Sequence, residues 1–81
     1  KRPVAASQIS ADAPQFSPRQ IQVLQLLLDG HSNREISQRL YLSDETIKSH
    51  VTTILRGFGV HTRMQAVLAA GRFGYTSTVK R

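Results

Sequence analysis

Four helix-start signatures, at Ser17, Ser32, Ser43 and Thr62, constrain this chain more than any other feature. Each is a hydroxyl residue whose side-chain oxygen can accept a hydrogen bond from a backbone N–H of the turn that follows. Ser17-Pro18-Arg19-Gln20 reads as a capping box with proline at the first helical position. Phe16, just before the cap, can staple onto Ile21. The apolar spacing of Val23, Leu24, Leu27 and Leu28 carries this helix to Asp29-Gly30, where glycine ends it. Ser32-Asn33-Arg34-Glu35 opens a short second helix with Ile36 and Leu40 on its apolar side. Ser43-Asp44-Glu45-Thr46 opens a third, with both acids in the first turn and Gly57 and Gly59 bracketing its end. Thr62-Arg63-Met64-Gln65 caps a fourth, which continues to about Phe73-Gly74. No strand-like alternation competes, so the expected fold is all-α: a compact four-helix domain containing a helix-turn-helix.

Size and charge narrow the function without deciding it. Eighty-one residues allow one small domain, and no apolar run approaches the roughly 18 residues of a membrane span. Lys1-Arg2-Pro3 is not followed by the apolar stretch of a signal peptide. The chain has no cysteine, which excludes a disulfide framework and thiolate metal sites and permits a reducing cytoplasm. It opens on lysine rather than methionine, as a piece of something longer would. Residues 1–15 lack apolar periodicity and read as a flexible linker or tail; residues 16–75 form the domain, and 76–81 a C-terminal tail. The net charge of +6 invites a polyanion. Four of the cations are terminal (Lys1, Arg2, Lys80, Arg81), however, and the folded part carries an excess of only about three.

The join between helices two and three carries the functional reading. Only Tyr41-Leu42 separates them, and so short a join makes them cross steeply, the helix-turn-helix geometry. On a helical wheel with Ile47 as origin, Val51, Ile54, Leu55 and Phe58 fall within about 80° and face the core. Glu45, Ser49, Thr52 and Arg56 lie opposite, flanked by Lys48 and Thr53. Short hydrogen-bonding side chains let a helix sink into the major groove, while cations reach phosphates or guanine edges. An ordinary solvated face has a similar texture. The absence of acids after Glu45 and the preceding short helix favour the groove.

The stretch from Phe16 to Ala70 resembles the C-terminal domain of LuxR/NarL-type (GerE-like) response regulators. The matching pieces are Pro18-Arg19, Val23-Leu24, Leu27, Gly30, Ser32-Asn33-Arg34-Glu35-Ile36, Leu40 and Leu42-Ser43. Thr46-Ile47-Lys48-Ser49-His50, Ile54, Gly59-Val60, Arg63 and Ala66-Val67 follow in register. The resemblance implies a four-helix domain whose third helix enters the major groove of double-stranded DNA and whose fourth forms a homodimer. It implies base contacts from Lys48, Ser49 and Thr52, to which the wheel adds Glu45. It implies phosphate contacts from Asn33, Ser43, Thr46, Thr53 and Arg56, with Arg34 joining that set. An N-terminal receiver or ligand-sensing domain outside this chain would be the natural partner. The chain departs from the pattern at Gln20 and Gln22, where glutamates are usual, and at Ser37, a common alanine. Thr52 is neutral where some relatives carry lysine. Gly57 occupies a frequent lysine position, which removes a phosphate contact and suggests an early helix end.

Other features read more plainly. Helix four is apolar nearly all round: Ala66, Val67, Ala70 and Phe73 cluster on one side and Met64, Leu68 and Gly71 form a stripe opposite. That stripe is a candidate two-fold contact, suited to paired half-sites about one DNA turn apart. His50 reads as a packed histidine, and His31 and His61 lie in turns without metal-ligand spacing. No metal, cofactor or enzyme motif emerges. Lys1-Arg2-Pro3 could form a minor-groove arm, though a solvated stub is the simpler reading. Two rivals stay open: region 4 of a sigma factor, which Ser32-Asn33-Arg34-Glu35 argues against, and a protein–protein adaptor working through helix four.

Overall fold

The computed structural model describes residues 13–76, and over that range the chain is four helices without a strand. Helix α1 spans Pro18–Leu28, α2 Asn33–Leu40, α3 Asp44–Phe58 and α4 Arg63–Arg72. Each begins at the hydroxyl residue expected. Ser17, Ser32, Ser43 and Thr62 accept from the N–H three residues on, and the boxes at Ser17, Ser32 and Thr62 are closed by Gln20, Glu35 and Gln65. Such caps are worth about 1 kcal/mol apiece, a large share of the stability of so small a domain.

Helix α3 is the hub: it packs against α1, α2 and α4, and α1 also touches α2. Its Ile47, Val51 and Ile54 meet Val23, Leu24 and Leu27 of α1 and Ile36 of α2 in one core. Leu24, Ile36, Ile47 and Ile54 are fully buried, each contributing roughly 1.5–3 kcal/mol. The buried side of α4 is made of Ala66, Ala69 and Ala70, small enough to bring its backbone close to α3. A second, aromatic cluster forms where the residues just before α1 and just after α4 meet the end of α3. The Phe16 ring lies edge-on to Phe58 at 5.3 Å, Phe58 stacks on Phe73 at 5.9 Å, and Tyr75 is edge-on to Phe58 at 6.1 Å. Burial raises the pKa of the Tyr75 hydroxyl above its usual value. Gln25 Nε2 donates to the Thr76 carbonyl at 2.6 Å, so the chain beyond α4 is held against α1.

Three details differ from expectation or were not foreseen. Helix α3 does not end early at Gly57. It runs on to Phe58 and stops at Gly59, whose φ of 71° lets the chain reverse while Val60 N–H reaches the Leu55 carbonyl. Gly57 serves packing instead: a Cβ there would lie 2.6 Å from Phe16 Cε1, so the ring occupies the space of a missing side chain. The α2–α3 turn is made by Tyr41 in the left-handed region, φ 58°, a place usually taken by Gly or Asn. Its N–H and that of Leu42 both donate to the Ser37 carbonyl, which secures the turn. Ser37, buried on α2, satisfies its own hydroxyl by donating to the Arg34 carbonyl at 2.7 Å. The terminal segments with Lys1, Arg2, Lys80 and Arg81 lie outside the described residues. No helix among the described residues is long and apolar enough to cross a membrane.

Candidate nucleic-acid interface

Because Ile47, Val51 and Ile54 are held in the core, the opposite side of α3 is forced outward. It presents Glu45, Lys48, Ser49, Thr52, Thr53 and Arg56, all exposed and all on one continuous stripe. Lys48 Nζ is 3.9 Å from Glu45 Oε2, with the two side chains 67% and 88% exposed. So open a pair holds by less than about 1 kcal/mol, and the lysine is free to leave it. Arg56 sits in the last turn, where the helix dipole favours a cation. The stripe thus has hydroxyls in the middle, a cation at each side and acids only in the first turn.

The other predicted contacts gather at the starts of α2 and α3. Ser43 Oγ accepts from the Thr46 N–H at 3.1 Å and shares a hydrogen bond with Thr46 Oγ1 at 2.9 Å. Only one of those two hydroxyl protons is consumed, so the pair keeps one donor for an outside acceptor. Asn33 and Arg34 stand in the first turn of α2, Asn33 half-buried and Arg34 exposed. Glu35 is engaged locally. It accepts from the Ser32 N–H at 3.0 Å and from His31 Nδ1 at 3.3 Å. Those contacts, the backbone one first, hold its carboxyl below the usual carboxylate range. His50 is half-buried beside the core stripe, and His61 is exposed in the α3–α4 turn.

The structure does not bring the α4 stripe to this face. Met64 and Leu68, 68% and 64% exposed, lie on the side of α4 away from its buried alanines. Beside them, Gly71 is exposed with open space where a Cβ would stand. Sequence reasoning gave Arg63 no role. Its guanidinium donates from Nη1 to Asn33 Oδ1 at 2.6 Å and from Nη2 to the His31 carbonyl at 2.7 Å, across thirty residues of chain. A signal existed: Arg63 is the first residue of α4, where the helix dipole disfavours a cation, and a cation there needs another reason.

Residues 14–70 match the family of bacterial regulatory proteins, luxR family. The chain is 40% identical over 63 residues to the glycerol metabolism activator of Pseudomonas putida, covering 78% of this chain and 28% of that protein. It is 46% identical over 57 residues to the transcriptional regulatory protein DegU of Brevibacillus brevis, covering 70% of this chain and 24% of that protein. The chain therefore spans about a quarter of the length of these curated relatives. Among solved structures it superposes with a TM-score of 0.68 and 35% identity on the crystal structure of the anti-activator RapF complexed with the response regulator ComA DNA binding domain. That match covers 70% of this chain and 98% of the other. A tight turn between α2 and α3, a third helix seated in the core with its polar side outward, and a family match over residues 14–70 lead to one conclusion: the chain belongs to the LuxR family of bacterial regulatory proteins, as one of its helix-turn-helix DNA-binding domains.

Proposed function

We propose that this domain reads duplex DNA by laying α3 in the major groove, as the output domain of a cytoplasmic bacterial transcriptional regulator. The observation that carries the reading is the exposed stripe of α3 from Glu45 to Arg56, rigidly backed by Ile47, Val51 and Ile54. A B-DNA major groove admits one α-helix, and short hydroxyl side chains allow it to approach the base edges. In this reading Lys48, Ser49, Thr52 and Glu45 meet bases, Glu45 as an acceptor for a cytosine amino group. Asn33, Arg34, Ser43, Thr46, Thr53 and Arg56 meet phosphates and set the register. The starts of α2 and α3 add backbone N–H groups and the positive end of each helix dipole. The mechanism is binding alone, with no chemical step.

The exposed Met64, Leu68 and Gly71 support a homodimer through α4, occupying two half-sites. A patch this small favours dimers that assemble on DNA, since stable protein interfaces bury far more surface. The relatives are several times longer than this chain, which supports control by an additional N-terminal receiver or ligand-sensing domain.

Selection of bound sequences from a random duplex pool, followed by titration of the winner at two salt concentrations, tests the reading. An enriched motif with paired half-sites, bound with affinity that falls steeply with salt, is the expected result. Weak salt-sensitive binding without enrichment would mean that the rest of the protein supplies dimerisation. No binding would overturn the proposal in favour of a protein adaptor working through the Met64–Leu68 face.

A further inference from the structure

We propose that Arg63 is a positioning residue for DNA binding: it fixes the side-chain amide of Asn33 so that its N–H groups, not its oxygen, face the phosphate. The inference rests on the reading of Asn33 as a phosphate contact. A primary amide offers an acceptor on one side and two donors on the other, and rotation by half a turn exchanges them. A phosphate oxygen can only accept, so only one of the two orientations is useful. Free in solution, an asparagine would divide its time between them.

Arg63 removes the choice. A guanidinium has donors and no acceptor, so the atom it meets has to be Oδ1. Nη1 donates to that oxygen at 2.6 Å while Nη2 donates to the His31 carbonyl at 2.7 Å, and both contacts are partly buried. The fork is thereby held at two points, one on backbone, and cannot swing away with the asparagine. The opposite side of the amide stays open. Asn33 Nδ2 makes no hydrogen bond within the described residues, and no buried side-chain nitrogen or oxygen there lacks a partner, so this nitrogen reaches the surface. An oriented donor at the first residue of α2 is thus set by the first residue of α4, and the arginine that orients it is spent inward.

Spending it inward makes the proposal separable from a direct arginine–phosphate contact. A cation that touches phosphate releases counterions and contributes about 0.9 to the slope of log affinity against log salt. Losing an oriented neutral donor weakens binding and leaves the slope unchanged. The test is fluorescence anisotropy on a mixed-sequence duplex across a salt series, with Arg63→Met, Asn33→Ala and the double variant. Arg63→Met is expected to weaken binding about two- to tenfold, from the cost of halving the competent amide orientation up to that of losing one hydrogen bond, with the parental slope. In the Asn33→Ala background it should cause no further loss. Arg63→Lys keeps the cation but not the two-point fork, so it should bind between parent and Arg63→Met. In the free proteins, NMR should show the Asn33 side-chain amide signals moving toward free-asparagine positions in Arg63→Met while core methyl signals stay in place.

Parental affinity of Arg63→Met would overturn the proposal. So would a slope reduced by about one with the loss persisting in the Asn33→Ala background, which would put Arg63 itself on a phosphate. Parental affinity of Asn33→Ala would overturn it too. If Lys48→Ala still weakened binding in that case, the DNA-binding reading would stand without Asn33. Absence of binding by the parent chain would remove both.

Discussion

Substitution of Gly57 by alanine should destabilise the domain in the parent and stabilise it once Phe16 is cut back. Gly57 is the last residue but one of α3, where alanine is still normally better than glycine, by up to about 1 kcal/mol. Here a Cβ would stand 2.6 Å from Phe16 Cε1 and 2.9 Å from Cζ, well inside contact distance. The ring cannot simply slide, because it is also packed edge-on against Phe58 at 5.3 Å and lies 6.4 Å from Tyr75. Displacing it forfeits about half the burial of a phenylalanine and an aromatic edge contact, together about 2 kcal/mol. The helix gain offsets half of that, leaving a net loss of about 1 kcal/mol, or some 4–8 °C in thermal midpoint for a domain this size. In a Phe16→Ala background the clash is gone and Gly57→Ala should raise stability by about 0.5–1 kcal/mol. Urea unfolding of the parent, both single variants and the double variant supplies the cycle, with a coupling of roughly 2 kcal/mol expected between two residues in contact. A stabilising Gly57→Ala in the parent would refute the reasoning, since the Phe16 ring would then not be fixed over α3. A lysine at this position would add a cation near the end of α3 only by pushing Phe16 out of its place.

Lys48→Ala should weaken binding of the selected duplex by about 1–3 kcal/mol if its ammonium meets a base edge, and equal affinity in a folded variant would remove it from the site. Leu68→Glu, at a side chain 64% exposed, should leave the unfolding midpoint within about 0.5 kcal/mol of the parent while abolishing cooperative filling of paired half-sites. Unchanged cooperativity in that titration would take α4 out of the dimer. Tyr41→Gly relieves the left-handed backbone of a residue whose side chain is 94% exposed, so stability should rise by about 0.5–1 kcal/mol in chemical denaturation. The Glu35 carboxyl is held below its unfolded value, so its contribution is fully present above the usual carboxylate range and disappears as pH falls through the lower folded value. Glu35→Gln keeps an N3 acceptor without the charge. The gap in melting temperature between parent and variant should therefore be present at neutral pH and close on acidification, and a gap independent of pH would contradict the assignment.

The helix starts were legible because capping is local. A hydroxyl, its N3 partner and the apolar spacing behind it lie within a few residues, so Ser17, Ser32, Ser43 and Thr62 announced themselves. The outward face of α3 was legible for a related reason: its period follows from 3.6 residues per turn once Ile47, Val51 and Ile54 point inward. The positive φ of Tyr41 was not, because aromatic residues carry no strong preference for it and the turn is imposed by the two helices it joins.

Contacts between residues far apart in the chain belong to the tertiary structure alone. Nothing near Gly57 says that Phe16 lies over it, so the glycine looked like a helix stop when it is a place cleared for a ring. Nothing near Arg63 says that Asn33 and the His31 carbonyl will converge on its guanidinium, thirty residues away. Periodicity and capping describe how each segment meets water and its own backbone. Which side chain fills which space, and which amide edge is left facing outward, depends on how the four helices pack, and only packing settles it.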